Sequence, residues 1–121
     1  MRFAIALLLT VSTPALANGR MITRGVCTDG SLWKMEAIRA PQGRVEVEFE
    51  VESFVPGETW DVTMWQNETS FFTGQRVTRG SDGEFWIERV RINRPGNDLF
   101  EAVAVNLLTG EACEGELVWN R

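Results

Sequence analysis

Residues 44–53 read RVEVEFEVES, in which Val45, Val47, Phe49 and Val51 alternate with Glu46, Glu48, Glu50 and Glu52 without a break. Side chains change face at every residue of a β-strand, so this stretch buries its apolar half only as a strand. Wound as a helix, the same four apolar chains would scatter around the axis. A strand with one dry face needs a second layer over that face, which points to packed antiparallel sheets.

The period of two recurs along the chain between turn residues. Strands are predicted at Ser31–Arg39, with Trp33, Met35 and Ala37 on one face, and at Arg44–Ser53. The next runs from Glu58 to Asn67, where Trp60, Val62 and Met64 alternate with Asp61, Thr63 and Trp65. Asn67-Glu68 then turns the chain into a strand through Phe71 and Phe72 that ends at Thr78. Further strands follow at Glu84–Ile92, Leu99–Asn106 and Ala112–Trp119. Pro41-Gln42-Gly43, Pro56-Gly57, Gly80-Ser81-Asp82-Gly83, Pro95-Gly96-Asn97-Asp98 and Thr109-Gly110 supply breaks between them. In Glu84–Ile92, Phe85 and Ile87 share a face while Val90 and Ile92 fall out of step, which predicts a bulge near Glu88-Arg89. These seven strands, with an eighth edge strand around Met21 and Ile22, predict a single all-β, antiparallel sandwich domain over residues 18–121.

Residues 1–17, MRFAIALLLTVSTPALA, read as a secretory signal peptide: Arg2, an apolar run from Phe3 to Val11, a break at Pro14, and the small-x-small cleavage signal Ala15-Leu16-Ala17. The apolar run is shorter than the ~20 residues that a membrane helix needs. The expectation is an extracytoplasmic protein, secreted or periplasmic and of bacterial type, with no stable membrane anchor. In that compartment the two cysteines, Cys27 and Cys113, read as a disulfide. Closing so long a loop is worth about 4 kcal/mol in the chain-entropy treatment.

The segment LFEAVAVNLLTGEAC, residues 99–113, resembles the F strand and F–G loop of fibronectin type III and immunoglobulin-like domains. Phe100 stands where those families place a tyrosine, and Trp60 falls near their core tryptophan on strand C. The chain has no tyrosine, and its cysteines are not at the B and F positions. CTDGSLWKM early and GEAC late also look like small secreted bacterial proteins of unassigned function. The resemblance implies an immunoglobulin-like sandwich. Strands A, B and E (from Ser31, Arg44 and Glu84) would form one sheet, and C, F and G (from Glu58, Leu99 and Ala112) the other, edged by the Phe71-Phe72 strand. It carries over no catalytic residue.

Catalytic chemistry finds little to work with. There is no histidine, so the common general base and the Ser-His and Cys-His dyads are missing. No phosphate loop and no zinc spacing occurs. Alternate residues on a strand lie about 6.6 Å apart and point the same way. The four glutamates of residues 46–52 therefore form a row rather than a pair across a cleft, and read as a solvated face with nothing apolar around it to raise a pKa. Asp29, Asp82 and Asp98 are turn residues before they are calcium ligands. Asn67-Glu68-Thr69 fits a glycosylation sequon but serves a turn. No metal and no cofactor is expected.

The net charge is −5, and one unit more negative without the leader. That argues against nucleic acid and anionic membranes as partners. The expected function is a non-enzymatic binding or structural module with a protein or glycan partner, or one that self-associates weakly. Two alternatives are an acidic inhibitor of a cationic secreted enzyme and a small carbohydrate-binding module. By phase, the outer face of the A–B–E sheet carries Lys34, Glu36, Glu46, Glu48, Glu50, Glu88 and Trp86. The outer face of the C–F–G sheet carries Thr63, Trp65, Val103, Val105 and Val118, with Phe72 as the outward member of its pair. This second face, apolar and rimmed by Asp61, Glu101, Glu114 and Glu116, is the expected recognition surface.

Overall fold

The computed structural model describes residues 15–16 and 19–120. The described chain is all β: β1 Ala15–Leu16, β2 Arg20–Val26, β3 Leu32–Ala40, β4 Arg44–Glu52, β5 Thr59–Gln66, β6 Thr69–Val77, β7 Glu84–Ile92, β8 Asp98–Asn106 and β9 Ala112–Trp119. Two antiparallel sheets form, in the orders β1-β2-β3-β4-β7 and β6-β5-β8-β9. The A, B and E strands are thus β3, β4 and β7. The second sheet holds C, F and G as β5, β8 and β9, with the Phe71-Phe72 strand at its edge. Residues 1–14 and 17 of the expected leader lie outside the described residues, while Ala15 and Leu16 pair with Ile22 and Met21 at the rim of β2.

The alternation of β4 does what its sequence demands. Val45, Val47, Phe49 and Val51 are fully enclosed, facing Trp60, Val62 and Met64 of β5 and Phe100, Ala102 and Ala104 of β8 in one core. Large groups of one sheet meet small ones of the other. A Cβ added to Gly115 of β9 would approach Trp33, Phe49 and Met35 within 3.0–3.2 Å, so that glycine makes room for all three. Each fully buried large apolar chain is worth about 1.5–3 kcal/mol.

At the β2–β9 flank, Cys27 and Cys113 are disulfide-bonded, 86 positions apart. Thr23 Oγ1 donates to the Glu116 carbonyl at 2.8 Å, and Thr28 N to the Ala112 carbonyl at 3.0 Å. The bridge therefore ties the end of β2 in one sheet to β9 in the other.

Two local expectations are corrected. No bulge interrupts β7: its pairing with β4 runs unbroken from Arg44 opposite Ile92 to Glu52 opposite Glu84. Val90 and Ile92 therefore lie on the outer face, 53% and 62% exposed, and Arg89 and Arg91 take the opposite face at the open flank of the sandwich, Arg89 exposed and Arg91 half-buried. The bulge lies in β6 instead. Met64 pairs with Phe72 but Trp65 with Ser70, leaving Phe71 as the extra residue. An extra residue restores parity, so Phe71 and Phe72 both pack against the core rather than on opposite faces. Phe72 stands opposite the enclosed Met64, and so leaves the outer recognition face on which it was expected.

Candidate binding faces

The outer face of the second sheet is built by register. Trp65 lies between Ser70 and Glu101, Thr63 between Thr73 and Val103, and Asp61 between Gln75 and Val105. Glu101 and Val103 stand opposite Glu116 and Glu114, and Val118 opposite Leu99. Thr63, Trp65, Val103 and Val105 are half-buried in this surface, and Val118 is exposed. Gln75 Nε2 donates to Asp61 Oδ1 at 3.1 Å, holding one corner of the acidic rim.

The largest exposed aromatic lies on the other sheet. Trp86 is 56% exposed on β7, opposite Glu50, and Val90 stands opposite Glu46. Around them the register assembles carboxylates from three strands, with Glu36, Glu48 and Glu88 in one cross-strand row and Glu52 opposite Glu84. Cations sit to one side. Arg20 Nε pairs with Glu36 at 2.6 Å, and Lys34 Nζ lies 3.4 Å from Glu50 and 3.9 Å from Glu36. The β4–β7 side is left with crowded negative charge.

That crowding alters the acids, contrary to the expectation for a simple solvated row. Glu46 is raised above the ordinary carboxylate range by its hydrogen bond to Glu88, then by partial desolvation and by repulsion from Glu88 and Glu36. Glu48 is raised mainly by desolvation, with Glu50, Glu36 and Glu88 adding to it and Lys34 opposing. Glu84 is raised by desolvation and by Glu50 and Glu52. The carboxylate oxygens of Glu52, Asp82 and Glu84 come within 4.8 Å of one another. The three turn aspartates do not converge. Asp82 belongs to that group, whereas Asp98 is enclosed at the other end, accepting from Gln66 Nε2, Asn67 Nδ2 and the Arg94 amide.

Loops at one end of the sandwich add apolar surface that strand patterns could not reveal. Phe54 and Val55 follow β4, Leu107 and Leu108 follow β8, and all four are exposed. Phe54 takes a φ of 67°, strained for an aromatic residue, with its amide bonded to the Asp82 carbonyl at 2.8 Å. The signals were there, an apolar pair inside each of the turn segments SFVPG and NLLTG.

The sequence matches no family model and no curated protein. Function therefore rests on these surfaces. The outer faces of the two sheets carry acidic groups together with Trp86, which is exposed, and Trp65, which is half-buried.

Proposed function

We propose that this protein is an exported, immunoglobulin-like binding module, without catalytic activity, that holds a cationic protein on the outer face of β3–β4–β7. One observation carries the reading: Trp86 and Val90 stand exposed among Glu46, Glu48, Glu50 and Glu88. An apolar anchor within like charges is suited to a basic partner. The carboxylates steer the encounter, and the tryptophan supplies contact area once water leaves. The raised acids add a driving force, because a partner's Lys or Arg relieves repulsion already present in the free protein. The disulfide is consistent with a place outside the cytoplasm.

The test is capture of a basic secreted enzyme by the immobilised, oxidised protein. Capture is expected to weaken steeply from about 0.05 to 0.5 M salt, and to be lost in Trp86→Ala and in Glu46→Gln/Glu48→Gln/Glu88→Gln. Salt-insensitive capture that survives both variants rejects the reading, and a glycan-array signal lost in Trp86→Ala would replace it with sugar binding. A second reading, weak self-association through Thr63, Trp65, Val103, Val105 and Val118, is favoured by the apolar centre that these residues form on one sheet face, and opposed by its acidic rim.

A further inference from the structure

In this acidic chain, four of the 12 basic residues gather at one flank. β6 and β7 end their respective sheets, across the sandwich from the disulfide-tied β2–β9 flank. The unbroken register of β7 turns Arg89 and Arg91 to the open flank there, and the bulge in β6 turns Phe71 and Phe72 to meet them. The guanidinium carbons of Arg76 and Arg89 lie 5.0 and 4.8 Å from the centre of the Phe72 ring. That of Arg91 lies 4.5 Å from the Phe71 ring.

These arginines are held by neutral groups. Arg76 Nη1 donates to the Gln75 carbonyl and Arg89 Nη1 to the Glu88 carbonyl, both at 2.8 Å. Arg91 Nε donates to Gln66 Oε1 at 3.0 Å. Among the described residues, ion pairs form instead around Arg20 and Lys34 on the opposite side. Stacking occupies the flat face of a guanidinium and leaves its edge, with five N–H donors in a fixed fork, for an acceptor. Like charge is crowded here too: burial and the neighbouring Arg94 lower the pKa of Arg91.

We propose that the β6–β7 flank binds a phosphate or sulfate group between the stacked guanidiniums of Arg76, Arg89 and Arg91. A tetrahedral oxyanion presents several acceptor edges at once, so it can accept from more than one fork, which a single carboxylate does less well. The acidic sheet faces on either side disfavour a long polyanion and favour one compact anionic group. Inorganic phosphate, inorganic sulfate and a lipid headgroup share that chemistry. The site is separate from the acidic face and does not depend on what that face binds.

The experiment titrates the oxidised full-length protein with sodium phosphate and sodium sulfate, following amide and arginine Nε–H resonances, with sodium chloride at matched ionic strength as control. A parallel arm measures sedimentation with phosphatidylcholine vesicles with and without phosphatidylglycerol. Saturable shifts centred on Arg76, Arg89 and Arg91 are expected with the oxyanions and not with chloride. Arg89→Ala removes an exposed side chain, and should weaken binding at least about tenfold while Arg24→Ala leaves it unchanged. Arg76→Gln should repeat the loss. Binding only to phosphatidylglycerol vesicles, lost in Arg89→Ala, assigns the group to a lipid headgroup. Absence of saturable binding in both arms, or binding that both arginine variants retain, overturns the proposal.

Discussion

Glu111 grips Ser31 with both carboxylate oxygens. Oε1 accepts the Ser31 hydroxyl at 2.7 Å and Oε2 accepts the Ser31 amide at 2.9 Å, while Oε2 also accepts the Asp29 amide at 2.9 Å. A buried carboxylate on the approach to β9 thus fixes the turn between Cys27 and β3. Three donors would lose a charged acceptor in Glu111→Ala, which is expected to cost about 2–4 kcal/mol. Urea unfolding measures it, and Asp29→Ala, which keeps the amide donor, should be close to neutral.

The bridge between Cys27 and Cys113 joins the two sheets at one flank only. Replacing both cysteines with alanine should lower stability by about 2–5 kcal/mol. Reduction of the native protein in guanidinium titrations should shift the midpoint by a similar energy, while far-ultraviolet circular dichroism before the transition keeps its β signature.

Glu46, Glu48 and Glu84 hold their protons to higher pH in the folded protein than an ordinary glutamate, which titrates at 4.5. The folded state then binds more protons than the unfolded chain in the window above 4.5, so its stability falls as pH rises through that window. Thermal unfolding should therefore give a higher Tm near about pH 5 than near about pH 7.5. Glu88→Gln removes the group that most perturbs Glu46, and the slope of Tm against pH should flatten in that variant.

A Cβ on Gly83 would fall 2.4 Å from the Val55 nitrogen, and the glycine's φ of +59° adds strain for any other residue. Gly83→Ala must displace the backbone of the loop that carries Phe54, and should cost about 2 kcal/mol or more. Gly43→Ala is the comparison. Its φ is +69° but nothing lies within 4 Å of its added Cβ, so only the conformational part of the cost should appear.

Trp60 and Trp86 separate packing from surface roles. Trp60 is fully enclosed, and Trp60→Ala should cost about 3–5 kcal/mol. Trp86→Ala should leave stability within about 0.5 kcal/mol. Trp65, half-buried on the outer face of its sheet, should stay within about 1 kcal/mol on truncation. Chemical unfolding of the three variants ranks them directly.

The period-two pattern by itself determined most of the core. Val45, Val47, Phe49 and Val51, with Trp33, Trp60 and Trp119, are inside because alternation assigns a face within any unbroken strand, and burial rewards the apolar one. The cysteine pair was also legible, since the cysteine count is a compositional fact, whereas the division of the strands between two sheets followed from the resemblance to immunoglobulin-like domains. Only the tertiary structure decided where parity breaks and which residues become neighbours across strands. A bulge shifts every later side chain to the other face, and sequence alone could not tell that it falls at Phe71 rather than at Glu88-Arg89. Register is a non-local choice made by two strands packing together. It alone set Glu88 beside Glu48 and within reach of Glu46, left Val90 and Ile92 in water, and turned Arg89 and Arg91 onto the two phenylalanines. The faces that a partner would meet arise from that pairing, because charge and aromatic surface act through neighbours in space, which alternation along one strand does not specify.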